Sequence, residues 1–171
     1  GQVSTAVKKF LQSADREVGE HHYHYIDGID MPGQDGKRKW GNNLIVRKYL
    51  VPFACRMWCD LSREDGVLPF SHDCYVKIWQ LSEGTDRPII PADYILLDEA
   101  QDTAPVFLDI LQRQTHAMLV LVGDENQEIY AWRGACNAMK VYPDAPRRLL
   151  SQSYRFGQTI ADVANAILAT L

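Results

Sequence analysis

Tyr94-Ile95-Leu96-Leu97-Asp98-Glu99-Ala100-Gln101-Asp102 is the stretch on which the fold turns. Apolar residues run without alternation and then give way to acids. An unbroken apolar run of this length predicts a strand buried on both faces, as in parallel sheets. Met118-Leu119-Val120-Leu121-Val122 repeats the pattern and stops at Gly123. Between the two, Pro105 suits the first turn of a helix with Val106, Phe107, Ile110 and Leu111 on one face. Strand, helix, strand predicts an α/β fold, a parallel sheet with helices on its faces.

Ligands of such sheets sit beyond the carboxyl ends of the strands. Asp98 and Glu99 fall at such an end. Adjacent carboxylates there can divide two jobs, one holding Mg²⁺ on a nucleotide's phosphates and the other orienting or deprotonating the attacking water. A solvated acidic turn fits this stretch alone equally well.

Further out, Ser71 is placed to cap a short helix over His72 to Leu81. Gly84, Pro88 and Pro91 mark a loop. Gly134 to Val141 reads as a short helix ending before Pro143, Arg148-Leu149-Leu150 as a third strand, and Ile160, Val163, Ile167 and Leu168 as one face of a last helix. Upstream, Val3, Val7, Phe10, Leu11, Ala14 and Val18 recur at helical spacing and predict a helix ending at Gly19. Residues 20 to 41 read as a long loop or ragged hairpin. Leu44 to Asp60 reads as a helix that Pro52 kinks or divides.

The composition sets outer bounds. The chain has 171 residues, 46 % of them apolar and 23 % charged, with a net charge of −4. That balance suits a globular protein and excludes wholesale disorder. No apolar run reaches the ~20 residues of a membrane helix, so no membrane partner is expected. Gly1-Gln2-Val3 begins no signal peptide, and the missing initiator Met points to a trimmed or processed piece. Four irregularly spaced Cys do not make a disulfide framework, which favours a reducing interior. The mild acidity by itself does not advertise a nucleic-acid binder.

The segment Val122-Gly123-Asp124-Glu125-Asn126-Gln127-Glu128-Ile129-Tyr130-Ala131-Trp132-Arg133-Gly134-Ala135 raises the functional reading of the acids above the bland one. With Asp98 to Asp102 it resembles motifs II and III of superfamily 1 helicases of the UvrD/Rep type. Their pattern is DE-x-QD followed by GD-x-x-Q-x-IY-x-[WF]-RGA, and every fixed position matches. Leu150-Ser151-Gln152-Ser153-Tyr154-Arg155 resembles motif IV, with Ser153 where the family usually has Asn. Phe10-Leu11-Gln12-Ser13-Ala14-Asp15, Ser71 to Leu81 and Gln152 to Gly157 are similar to the F-box DNA helicases, although no F-box is present.

The resemblance implies a partial RecA-like P-loop NTPase lobe plus a mostly helical insertion domain. Residues 1–68 would be the insertion, 69–150 the second half of the first lobe with motifs II and III, and 151–171 motif IV and the crossover helix. It also implies ATP and Mg²⁺ as cofactors and single-stranded DNA and single-strand/duplex junctions as partners. Asp98 would hold Mg²⁺, and Glu99 would be the base for hydrolytic water. Gln127 would sense the γ-phosphate, Tyr154 would stack on adenine, and Arg155 would act as an arginine finger. Tyr130 and Trp132 would meet DNA by stacking. Gln101, Asp102, Asp124 and Arg133 would organise the ATP–DNA interface. A core aromatic remains open for Trp132, and a buried ion pair for Arg133. The implied activity is ATP-driven 3′→5′ translocation and unwinding in repair or recombination, inside the cell, in the cytoplasm, nucleoid or nucleus. The alternative is a motor-dead helicase-derived module that binds DNA or a protein partner. A nuclease using Asp98, Glu99 and Asp102 as metal ligands leaves motif III and Arg155 without purpose.

The phosphate loop GxxxxGK[ST] is absent. Gly33-Gln34-Asp35-Gly36-Lys37-Arg38 is a look-alike with wrong spacing and Arg38 where Ser or Thr should stand. The chain alone is therefore expected to be inactive. Without the phosphate-loop strand, Ile95, Leu97, Val120 and Val122 are expected to lack neighbours, so either the packing adapts or a dimer covers the gap. Weaker signals are the basic cluster Lys37-Arg38-Lys39-Trp40 with Arg47 and Lys48, and a zinc site assembled from His21, His22 and His24 with Cys55, Cys59 and Cys74. Solvated loops, buried Cys and surface His are the plainer readings.

Overall fold

The computed structural model describes residues 1–24, 46–82, 89–130 and 134–170. The look-alike Gly33 to Arg38 and the cluster Lys37 to Trp40 lie outside the described residues, as do Trp132 and Arg133. Residues Gly1–Val141 form one compact unit and Tyr142–Leu171 another.

The first unit opens with α1, Gln2–Gln12, which buries Ala6, Val7, Phe10 and Leu11. The helix predicted to reach Gly19 stops at Ser13, whose backbone turns extended. The cause lies in distant side chains. Lys77 and Gln80 take the carbonyls of Ser13 and Ala14 at 3.0 and 3.1 Å, and the Lys77 ammonium also donates to the Asp15 carbonyl. Those oxygens are satisfied without a continuing helix. A single turn, Glu20–His22, follows.

The predicted helix over Leu44 to Asp60 is divided. A π-helical turn, Val46–Leu50, leads into α2, Val51–Leu61. Pro52 sits in the first turn of α2, where its missing N–H costs nothing. The Tyr23 hydroxyl donates to the Leu50 carbonyl at 2.6 Å and ties this junction to the first segment. α3 runs His72–Leu81 as predicted. Ser71 occupies the N-cap position without a side-chain cap bond, and its Oγ lies 3.4 Å from Cys74 Sγ instead.

α1, α2 and α3 share one core of Ala6, Val7, Phe10, Leu11, Val18, Tyr23, Ala54, Leu61 and Cys74. Phe10 is its centre. Trp58 and His22 meet its ring edge-to-face, both with centroids 5.4 Å away. Lys77 lies 4.2 Å from the ring centroid and is fully buried. Burial pushes the Lys77 ammonium down to about 8.

β1, Tyr94–Leu97, and β2, Met118–Leu121, pair in parallel with Tyr94 opposite Met118 and Leu97 opposite Leu121. Between them α4, Pro105–Gln112, starts at Pro105 and buries Val106, Leu108, Ile110 and Leu111. α4 packs on α1 and α3. The strand–helix–strand unit is thus present as read. Its strands are not buried on both faces: Tyr94 is 63 % exposed and Leu96 73 %, and Met118 is exposed as well. The expectation that Ile95 and Leu97 would lack neighbours is corrected, because both are half-buried. A strand's period of two sends alternate residues to opposite faces, and only one face is covered. Val120 and Val122 are exposed, as anticipated.

The helix predicted over Gly134 to Val141 is one tight turn, Ala138–Val141, begun by the Asn137 carboxamide accepting from the Met139 amide at 3.0 Å. In the second unit, Arg148-Leu149-Leu150 is not a strand. Leu149 and Leu150 are almost fully exposed, and no strand is formed among the described residues of this unit. The last helix, α5, Gln158–Leu168, forms as predicted and buries none of its residues within the described structure. No helix among the described residues is long and apolar enough to cross a membrane.

Candidate functional site

Both acid-rich segments leave the carboxyl ends of paired strands. Pairing continues past the strands, with the Val122 amide on the Leu97 carbonyl at 2.8 Å and the Ala100 amide on the Val122 carbonyl at 2.9 Å. Asp98 to Asp102 and Val122 to Gln127 are therefore neighbours.

Glu99 is the one described non-glycine residue with positive φ, at φ 52° and ψ 41°. The left-handed conformation costs a non-glycine residue roughly 1–2 kcal/mol. Side-chain bonds on both sides hold it. Asp98 Oδ1 accepts the Glu99 amide at 2.9 Å, and Gln101 Nε2 donates to Glu99 Oε2 at 2.6 Å. Gln101 itself is buried, and its Oε1 accepts the Asp124 amide at 3.2 Å. One carboxamide thereby bridges the Glu99 carboxylate and the backbone after β2. Gly123 makes room for it, since a Cβ there would lie 2.4 Å from Gln101 Oε1.

Asp124 folds its own turn. Its carboxylate accepts the Asn126 amide at 2.9 Å and Gln127 Nε2 at 2.8 Å. The Gln127 and Asn126 donors hold the Asp124 carboxyl below its ordinary range. Asp102 Oδ1 accepts the amides of Ile129 and Tyr130 at 3.2 and 3.0 Å. Thr103 extends this seam, its carbonyl accepting the Cys136 amide at 2.8 Å. Asp98, Glu99, Asp124, Gln127 and Tyr130 are all exposed around the buried Gln101.

The motif acids do not converge into a protein cage. Among the described residues the one convergent set of three or more metal-ligating side chains is Asp15, His21 and His22. That spread fits Mg²⁺, which takes one or two carboxylates and fills its shell with water and phosphate oxygens. It counts against the three-acid nuclease, because Asp98, Glu99 and Asp102 bring no three ligand atoms together among the described residues. Among the described residues the weakly signalled zinc set with Cys55, Cys59 and Cys74 is not formed: Cys55 and Cys59 are exposed on α2, and Cys74 is buried in the core, in line with the plainer reading.

The site therefore joins Asp98, Glu99, Gln101, Asp102, Asp124 and Gln127, with Tyr130 on the adjoining loop. Tyr154 and Arg155 belong to the second unit. Tyr154 is 92 % exposed, and the Arg155 amide donates to Ser153 Oγ at 3.3 Å. Thr103 is a structural member that the sequence did not single out, and Gly123, read there as a strand stop and motif residue, also makes room for Gln101. The signal for Gly123 was a glycine directly after an apolar strand, where backbone and side chain approach closely.

Residues 87–142 match the UvrD/REP helicase N-terminal domain. With the two bridged motifs, that match identifies the chain as UvrD-like, of helicase superfamily 1. It is 34 % identical to F-box DNA helicase 1 of Gallus gallus over 97 % of this chain and 16 % of that protein. It is 32 % identical to F-box DNA helicase protein 1 of Schizosaccharomyces pombe over 95 % of this chain and 18 % of that protein. Against ATP-dependent DNA helicase PcrA of Leuconostoc citreum identity is 42 %, over 44 % of this chain and 11 % of the relative. The chain spans less than a fifth of the length of these relatives. No solved structure gives a significant match.

Proposed function

We propose that this chain is the central segment of an ATP-dependent 3′→5′ DNA helicase or translocase acting in repair or recombination. The observation that carries the reading is the Gln101 bridge. It holds the Glu99 carboxylate and the turn bearing Gln127 side by side beyond the parallel strands, where α/β sheets take ligands. Asp98 would hold Mg²⁺, which neutralises charge on the β- and γ-phosphates. Glu99 takes the proton of the attacking water, and Gln127 reports the γ-phosphate. Tyr154 would stack on adenine and Arg155 would offset charge developing in the transition state, as the likeness of Leu150 to Arg155 to motif IV implies.

Asp102 makes the coupling physical. It accepts two amides of the loop that carries Tyr130 and leads to Trp132. Movement at the nucleotide is thereby linked to residues that stack on single-stranded DNA, each stacked base contributing about 1–3 kcal/mol. The segment comprises parts of a RecA-like lobe and of a helical insertion. The exposed face of β1 and β2 is a packing surface for the rest of that lobe or for a second copy. Work on DNA would put the protein inside the cell, in the cytoplasm or nucleoid, or in a nucleus.

The test is Mg²⁺-dependent ATP hydrolysis, with and without single-stranded DNA. The full gene product should turn over and be stimulated by DNA, and its Glu99→Gln variant should lose at least ~10³-fold. The pure 171-residue chain should show no measurable turnover. A full product that binds DNA but never hydrolyses ATP would replace this reading with a motor-dead binding module.

A further inference from the structure

We propose that Asp15, His21 and His22 form a binding site for one divalent transition-metal ion of the zinc class, remote from the motif residues. A single carboxylate oxygen, Asp15 Oδ2, lies 2.9 Å from His21 Nε2 and 3.0 Å from His22 Nε2. One ligand atom from each residue lies within 4.8 Å of the others. An ion about 2.0–2.2 Å from each ligand, at angles between octahedral and tetrahedral, requires ligand atoms roughly 2.9–3.5 Å apart. Both Asp–His separations fit with little rearrangement.

The surroundings suit such an ion. His22 is 3 % exposed and held between Phe10 and the turn, so its ring is preoriented. Its Nδ1 faces both backbone groups of Gly19. It accepts the Gly19 amide at 2.9 Å in one tautomer, and in the other it can donate to the Gly19 carbonyl at 3.2 Å. The second tautomer leaves Nε2 free to ligate and supplies the backbone partner that metal-bound histidines usually have. His21 is exposed, which gives the ion a way in. Ser13 Oγ, 3.3 Å from His22 Nε2, can orient a water in an open position.

Two imidazoles and one carboxylate select borderline metals over Ca²⁺ and Mg²⁺, which want oxygen ligands. The Lys77 ammonium on the Asp15 carbonyl further disfavours a site that depends on charge alone. A bound ion would pin the end of α1 to the Glu20–His22 turn, giving the insertion segment a structural staple.

The experiment is calorimetric titration of the chelator-stripped 171-residue chain with ZnCl₂, with CoCl₂ absorption as the spectroscopic probe. The expected result is one Zn²⁺ per chain, with visible Co²⁺ bands and a raised melting temperature. His21→Ala, at an exposed position, should keep the metal-free melting temperature and weaken binding at least ~10-fold. Cys55→Ser/Cys59→Ser should bind like the parent. The proposal is overturned if His21→Ala binds unchanged, if removing the two thiols abolishes binding, or if Zn²⁺ binds with no defined stoichiometry.

Discussion

Gln101 Nε2 donates to the Glu99 carboxylate at 2.6 Å while the same carboxamide accepts the Asp124 amide. One buried side chain thus sets the geometry of the residue we assign as base and of the turn that carries Gln127. Each acid-rich segment follows a strand of only four residues, and the bridge ties the exposed Val122 to Gln127 turn to the buried Ala100-Gln101 pair.

Gln101→Leu keeps the volume and removes both bonds. It leaves the Asp124 amide without its acceptor and frees the strained Glu99 backbone. The expected loss is about 1–3 kcal/mol, which for a chain of this size is a fall of roughly 2–12 °C in melting temperature. Thermal unfolding of the variant checks this, and an unchanged midpoint would detach Gln101 from the site's architecture.

Gly123→Ala attacks the same bridge from the other side. The added Cβ would sit 2.4 Å from Gln101 Oε1 and 3.1 Å from the Ala100 amide nitrogen. Overpacking of this kind costs about 1–3 kcal/mol. Because the tightest clash is with the Gln101 side chain, Gly123→Ala combined with Gln101→Ala should cost less than the two changes summed. Additive losses in a denaturant double-mutant cycle would place the strain elsewhere.

Asp102→Ala should release the loop after motif III. Its carboxylate holds the amides of Ile129 and Tyr130, so those amides should exchange hydrogen about tenfold faster or more, equivalent to ~1.4 kcal/mol or more of local opening. Exchange elsewhere in Gly1–Val141 should change little. NMR exchange rates residue by residue decide it, and equal protection at 129 and 130 would remove Asp102 as the link.

How much of this was written in the sequence depends on the range of the cause. The strand–helix–strand unit was legible because apolar runs, Pro105 and Gly123 are local signals, and α3 carried its own boundaries. The motif acids were legible as a pattern, but not the left-handed Glu99 or the bridge that holds it. The α1 terminus was illegible because Lys77 and Gln80, over sixty residues away, decide where its carbonyls are satisfied. Leu149-Leu150 failed as a strand for the converse reason, since a strand needs a partner that an apolar pair cannot specify.

The four cysteines should separate into two kinetic classes. Cys55 and Cys59 are exposed on α2, whereas Cys74 is buried. Burial pushes the Cys136 thiol above its ordinary range, so it carries less of the reactive thiolate. Ellman's reagent on the native chain should modify two thiols quickly and two slowly, with all four equivalent in denaturant. Rapid reaction of three or more would show that the α1–α2–α3 core or the Thr103–Cys136 seam opens readily.

Lys77 supplies a test of what holds the helical segment together. Its ammonium is fully buried, donates to the Ser13 and Asp15 carbonyls and lies over the Phe10 ring. Lys77→Met preserves the apolar stem but leaves two part-buried carbonyls without this donor, each worth up to about 1–3 kcal/mol. The exposed Arg63–Asp65 pair, at 2.6 Å, offers the contrast. Arg63→Ala should leave stability almost unchanged, because solvent screens the pair. Urea denaturation of both variants should therefore show a large shift for Lys77→Met and almost none for Arg63→Ala. Equal shifts would mean that water reaches the Ser13 and Asp15 carbonyls, and that the hydrophobic cluster around Phe10 holds α1, α2 and α3 without its buried charge.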